Sequence, residues 1–310
     1  MKRPQDTPRP SDDPILVRDA EPRDADAVEA LVRASNPRRN RLGLPSETVD
    51  ESLFKVLRVA ETSDGLVVGA ETYEQLDRDQ CWLSGLAVLP GYRKYGIAGL
   101  LLQDAVTLAR RDRMLTLRYV TETTNDAVHQ LSLDHGLRPR GTWLDFRREL
   151  DEAACSLGRQ KAALDAAAIV RLQPSDRLRV LSLLNASGRT LYVHSGAWRT
   201  IDDAVLAKAI EGGAAFFSRS GVGGWGLAII GARRTDAIEA TVYGPDPACA
   251  KSLLEHLRGL ACESIEGVAL TIHAPQDAPI ASLLATAVRR REWHAVTEHP
   301  LRVWELVLAE

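Results

Sequence analysis

The stretch Arg93-Lys94-Tyr95-Gly96-Ile97-Ala98 has the residue types needed to hold an anion. It opens an apolar periodic run in which Ile97, Leu100, Leu101, Ala105 and Leu108 fall on one face of a helix. The first turn of a helix leaves backbone N–H groups without partners, and the macrodipole adds partial positive charge there. Together these favour phosphate. Gly96 lacks a Cβ and Ala98 carries only a methyl, so a diphosphate can approach the amides, with Arg93 and Lys94 adding formal charge. Taken alone, R-x-x-G-x-A also reads as a basic strand-to-helix turn. No G-K-[ST] and no G-x-G-x-x-G is present at this turn, which sets aside two familiar phosphate loops.

The elements around this turn must position it. Residues 81–90, CWLSGLAVLP, are apolar and stop at a proline, so they read as a buried strand leading into the loop. Upstream, Ile15–Arg18 reads as a first strand, with Asp24 capping a helix whose face holds Ala27, Val28, Leu31 and Val32. Phe54–Glu61 and Gly65–Gln75 read as two strands. Met114–Thr123 reads as a further strand, and Asn125 caps a helix that stops at Gly136. Trp143–Leu150 reads as a closing strand. Alternating strands and helices predict a mixed α/β sheet flanked by helices.

Residues 86–102, LAVLPGYRKYGIAGLLL, and 125–137, NDAVHQLSLDHGL, carry a resemblance. Residues 15–150 resemble the GNAT superfamily of acyl-CoA-dependent acyltransferases. The resemblance implies acetyl-CoA as co-substrate and no metal. Its loop would wrap the CoA pyrophosphate through Arg93, Lys94, Tyr95, Gly96, Ile97 and Ala98. Leu86, Ala87 and Val88 would hold pantetheine by their backbones, with the Val88 N–H as oxyanion donor and Asn125 as a further CoA or acceptor contact. An acceptor amine would then attack the thioester directly.

Acid and base follow less simply. The family's usual tyrosine aligns with Ser132, and Tyr119 is a nearby phenol able to stand in. Glu71, Glu74 and Glu122 are candidate bases, because Ser84 and Gly85 stand where the family often carries glutamate. Arg38, Arg39 and Arg41 follow the first helix, where the family lines its acceptor pocket, and read equally as a solvated turn.

A chain of 310 residues predicts two domains. The expected boundaries are a tail at 1–14, a catalytic domain at 15–150, an alanine-rich connector at 151–167 and a second domain at 168–310. The second half echoes the first in order. Val170–Asp176 follows Val17–Asp24, Gly226–Ala232 follows Gly65–Ala70, and Ala237–Tyr243 stands where the central strand should be. Its loop, Gly244-Pro245-Asp246-Pro247, has lost the arginine and the helix-opening glycine, so this copy is expected to bind CoA poorly. The fold expected overall is two tandem GNAT-like domains, each a mostly antiparallel twisted sheet. Tyr192–Trp198 is an aromatic cluster that either contacts an acceptor across a domain interface or packs between the domains.

With 45% hydrophobic and 26% charged residues, the composition is that of soluble globular protein. A formal net charge of -3 gives no pull toward nucleic acid or anionic membrane. Cys81, Cys155, Cys249 and Cys262 lack metal or redox spacing and read as reduced thiols in a cytoplasmic protein. The predicted partner is a small-molecule amine acceptor, and the predicted assembly a monomer or homodimer. Two other readings stay open at this point: a CoA-binding regulatory protein without turnover, and a GNAT-like acyl-CoA decarboxylase.

Overall fold

The computed structural model describes residues 14–35, 54–151, 155, 169–194, 197–221, 224–233, 237–264, 269–297 and 299–308. The basic turn at Arg38, Arg39 and Arg41, and nearly all of the tail and connector, lie outside the described residues. The chain divides into two compact units. The first takes residues 1–121, 125–140 and 304–310, and the second takes 122–124 and 141–303.

The first unit begins with β1 (Leu16–Asp19), α1 (Ala25–Ser35), β2 (Phe54–Glu61), β3 (Val67–Gln75) and β4 (Gln80–Val88). It continues with α2 (Ile97–Arg111), β5 (Thr116–Glu122), α3 (Asp126–Asp134) and the start of β6 (Arg138–Glu149). Strands β1 to β4 pair antiparallel in sequence order, and β5 joins β4 in parallel. Alternation gives the sheet two faces. On one, Tyr73, Cys81, Leu83, Leu117 and Tyr119 pack under Leu102 and Ala105 of α2. On the other, Val59, Ala70 and Ala87 pack against Leu31 of α1. Leu101 and Leu102 are fully buried, and each contributes about 1.5–3 kcal/mol by leaving water.

The second unit holds β7 (Ile169–Arg171), α4 (Arg177–Ala186), the hairpin β8 (Leu191–His194) and β9 (Ala197–Thr200), and α5 (Asp203–Glu211). Then come β10 (Ala215–Arg219), β11 (Trp225–Arg233), β12 (Ala237–Tyr243), α6 (Pro247–Ser264), β13 (Ala269–Pro275), α7 (Pro279–Arg289) and β14 (His294–Ala295). Its sheet runs β7-β10-β11-β12-β13-β6, with β12 and β13 parallel and the other neighbours antiparallel. With β8, β9 and α5 set aside, the element order of the first unit recurs here. A small motif recurs as well: a capping box of Glu21 and Asp24 opens the turn after β1, and one of Gln173 and Asp176 opens the turn after β7.

The last strand, β15 (Leu301–Val307), lies beside β5, and its residues from Trp304 onward belong to the first unit. Residues of β6 from Gly141 belong to the second unit, where they pair with β13. The first unit is therefore completed by a strand from the C-terminal end of the chain, and most of β6, expected to close the first domain, lies in the second unit. Alternation identifies both segments as strands but does not say which sheet they join.

The cysteines differ from expectation. Cys155 and Cys262 form a disulfide in the second unit, joining the segment after β6 to the end of α6. Only Cys81 and Cys249 are free, and both are buried. Cα atoms 5.2 Å apart permit the bond, although the two residues are 107 apart in sequence. No helix among the described residues is long and apolar enough to cross a membrane.

Candidate functional site

Strands β4 and β5 pair over only three rungs, Gln80 with Thr116, Cys81 with Leu117 and Trp82 with Arg118. Beyond that point β4 runs on to Val88 and β5 to Glu122 without a further rung. The same stretch of β4 carries a bulge. Ala87 faces Ala70 and Ser84 faces Thr72, so Gly85 and Leu86 both stand opposite Glu71. Gly85 has φ +68°, which only glycine adopts without strain in a strand. Past the bulge, Leu89 N–H donates to Val68 C=O at 2.9 Å, and Val88 stands opposite Gly69. Antiparallel pairs alternate between bonded and unbonded, so the Val88 N–H points away from β3, toward the β5 side where the ladder has ended.

The chain then turns through Pro90–Tyr92 into the loop. Lys94 and Gly96 have φ of 71° and 80°. Gly96 is the N-cap of α2, which receives no side-chain cap. Its first-turn amides are thus not met by a side chain of its own N-cap. A Cβ at Gly96 would find nothing within 4 Å. Arg93, Lys94, Tyr95 and Gly96 are exposed, while Ile97 is buried against Ala60, Val68 and Leu101 and anchors the turn. Ala98 is half-buried. Arg93 Nε donates to Val88 C=O at 3.2 Å, tying loop to strand. Leu86 and Val88 are half-buried on the α2 side, and Ala87 is buried on the α1 side.

The three candidate bases part company. Glu71 is fully buried on the α2 face, and neither carboxyl oxygen has a hydrogen-bond partner. Burial, then the charge of Asp104, pushes its pKa well above the usual carboxylate value. Burial under α2 therefore favours its neutral form. Glu74 lies on the opposite face, with Ser84 Oγ donating to it at 3.5 Å and Lys55 Nζ at 3.0 Å. Glu122 is half-buried at the end of β5 and is counted with Thr123 and Thr124 in the second unit.

Ser132 on α3 is fully buried and gives its one proton to Val128 C=O at 2.6 Å. Its oxygen therefore accepts from the Tyr119 hydroxyl in a short hydrogen bond. Burial pushes the Tyr119 phenol up to about 12, the hydrogen bond to Ser132 opposing it. Tyr119 is the β5 residue after the last rung. Its pairing with Ser132 could not be read from spacing. Asn125 is exposed and caps α3, its side chain accepting from Val128 N–H at 3.3 Å. His129 is half-buried, and its ring centroid lies 5.4 Å from that of Trp304.

The second unit lacks the loop chemistry. Asp246 accepts from Ala248 and Cys249 N–H at 2.8 and 2.9 Å, and from Ser220 Oγ at 2.7 Å. These bonds, Cys249 N–H foremost, hold its carboxyl below the usual range. The first amides of α6 thus bind the chain's own carboxylate. The β12–β13 ladder runs five residues, and β8 of the β8–β9 hairpin packs on β11 and β12. Val193 N–H donates to Thr241 Oγ1 at 3.0 Å, and a Cβ on Gly231 would meet Val193 O at 1.8 Å. Trp198, from the aromatic cluster, packs 4.3 Å from Trp143 and edge-on to His273. Both partners lie in this same unit, so these contacts are within the unit and not the packing between domains expected from sequence.

A family model described as "Acetyltransferase (GNAT) family" matches residues 26–136. No curated protein matches the chain. Among solved structures, one from Thermoplasma acidophilum, assigned as an acetyltransferase, is similar over 94% of this chain and 100% of its own, with TM-score 0.53 and 16% identity. A GCN5-related N-acetyltransferase from Kribbella flavida covers 96% of this chain and 71% of its own, at TM-score 0.42 and 14% identity. An acetyltransferase from Salmonella typhimurium, solved with acetyl-CoA, covers 42% of this chain and 83% of its own, at TM-score 0.33 and 18% identity.

Proposed function

We propose that the chain is a member of the GNAT superfamily, as the family-model match over residues 26–136 supports, and that its first unit transfers an acetyl group from acetyl-CoA to an amine of a small-molecule acceptor. One observation carries the reading: β4 parts from β5 after Trp82 and delivers its free edge to an uncapped helix start at Gly96. Such a wedge accepts an extended thioester arm along the β4 edge while the helix start takes its diphosphate.

In this reading the amine nitrogen attacks the thioester carbon, and the Val88 N–H receives the developing oxyanion. The amine proton passes to Glu74, directly or through water and Ser84. Collapse breaks the C–S bond and the electron pair leaves on sulfur. Tyr119 is a poor proton donor for it. A transfer from a phenol near 12 to a thiolate near 8.5 is uphill by roughly 5 kcal/mol. The thiolate leaves as such and is protonated by water, with Tyr119 and Ser132 walling the α2 side of the opening. The second unit is a degenerate copy that grips no cofactor, because Asp246 already fills its helix start.

The sealing of Ser132 and the burial of Glu71 favour a second reading, a CoA-binding protein without turnover. Thiol release followed with a disulfide dye across a panel of amines separates the two. Steady release above hydrolysis background supports transfer, and acetyl-CoA binding without it supports the second. No acetyl-CoA binding by the intact chain in titration calorimetry sinks both.

A further inference from the structure

Arg118 occupies the last rung between β4 and β5, opposite Trp82. It is 3% exposed, yet its guanidinium reaches the strands on both sides. Nη1 donates to Gln80 Oε1 on β4, and Nε donates to Glu305 Oε2 on β15, each at 2.5 Å. The other Glu305 oxygen meets Arg140 Nε at 3.1 Å. A buried ion pair is costly to desolvate, and apolar side chains of similar volume often serve stability as well or better. Its presence at this rung therefore points to geometry rather than stability.

The second unit repeats the arrangement. His273 occupies the last rung between β12 and β13, opposite Thr241. Its Nδ1 lies 2.8 Å from Asp145 Oδ1 on β6, and its Nε2 lies 3.2 Å from Glu239 Oε1 on β12. Gln80 precedes Trp82 by two residues, as Glu239 precedes Thr241. In both units, a basic side chain joins three strands where parallel pairing ends. In both, an acid comes from the strand on the side away from the parallel partner, Glu305 of β15 or Asp145 of β6.

We infer that Arg118 and Glu305 are positioning residues for the acyl-donor cleft, bolting β5 between β4 and β15 at the rung where the opening starts. The inference rests on the acetyl-CoA reading of the first unit. Without the bolt, β5 is free to add a rung at Leu83 and Tyr119 and narrow the wedge, or to fray and widen it. Either change misplaces a thioester arm that must lie along the β4 edge. The nucleotide end of the ligand, held by the loop, is untouched.

The test uses the full-length chain carrying Glu305→Ala, the milder Glu305→Gln, and the double change Arg118→Met with Glu305→Leu. Calorimetry compares acetyl-CoA with adenosine 3′,5′-diphosphate, which offers only the nucleotide end. Each variant is expected to lose about tenfold or more in acetyl-CoA affinity while the nucleotide changes by less than about twofold. The apolar double variant is expected to regain thermal stability but not acetyl-CoA affinity. Equal losses for both ligands, or wild-type acetyl-CoA affinity in the double variant, overturn the inference. Should the wild type bind neither ligand, the functional reading fails on its own. Amide exchange then decides: unaltered exchange at 83–88 and 119–122 in Glu305→Gln overturns the bolt, and altered exchange supports it.

Discussion

Gly96 offers an unusually clean perturbation, because a Cβ there meets nothing within 4 Å. Replacing it tests the ligand rather than the packing. With φ +80°, any Cβ costs about 1 kcal/mol in backbone strain, least for Asn and Asp. Gly96→Asn and Gly96→Asp share shape and strain and differ by one charge. A carboxylate about 5 Å from one phosphate charge is repelled by about 1–3 kcal/mol at effective dielectrics of about 80 to 20, and a diphosphate roughly doubles that. The site is exposed, so the lower end applies: about 2 kcal/mol, or about thirtyfold in Kd between the two variants. Titration calorimetry with acetyl-CoA at low salt measures the gap. In about 1 M salt, where screening acts within about 3 Å, it should largely close. Equal affinities for the two variants at low salt, with both folded, would refute a diphosphate at this helix start.

The remaining predictions concern groups already placed. Glu74→Gln should lower kcat about a hundredfold, whereas Glu71→Gln should leave kcat within a few-fold because Glu71 is sealed under α2 where burial favours its neutral form; the reverse order would falsify Glu74 as the base. For His273, burial pushes the imidazolium down but Asp145 and Glu239 outweigh it, raising its pKa from 6.5 to about 10. The folded value exceeds the unfolded one, so this stabilisation is complete below about pH 6.5 and is lost as pH rises through about 10, roughly 5 kcal/mol at full effect. Urea unfolding across that range should fall in the wild type and more gently in His273→Gln; parallel slopes refute it. Denatured but unreduced protein should take up two alkyl groups, with four after reduction. Reduction should also lower Tm, since closing a loop of about a hundred residues is worth about 4–5 kcal/mol in the chain-entropy model.

Much of the fold was legible because punctuation and period agree. Ala237–Tyr243 was bounded by a proline-rich turn and forms β12 over the same residues. The loop at 93–98 was legible because cations, glycine and a helical period meet there. What sequence withheld was tertiary. Local pattern marks Trp143–Leu150 as a strand, but no local signal says that it joins the second unit or that β15 joins the first. Gly85 was read as a missing glutamate, although a glycine inside a strand also signals a bulge, which is what it forms. Glu71 and Glu74 look alike in sequence. Three residues apart, they fall on opposite faces, one sealed under a helix and the other beside Ser84. Arg118 drew no notice, since a lone arginine in a strand usually reaches solvent.

Strand β15 sets an order of events during synthesis. Glu305 lies 187 residues beyond the arginine it joins. At about 5–20 residues per second, roughly 10–40 s separate their emergence from the ribosome. For that interval the nascent first unit carries an open sheet edge at β5 and an arginine without its acid. Chaperone capture or mispairing should concentrate in this window. A reporter fused after residue 150 would miss the final step of folding, and one fused after residue 310 would include it.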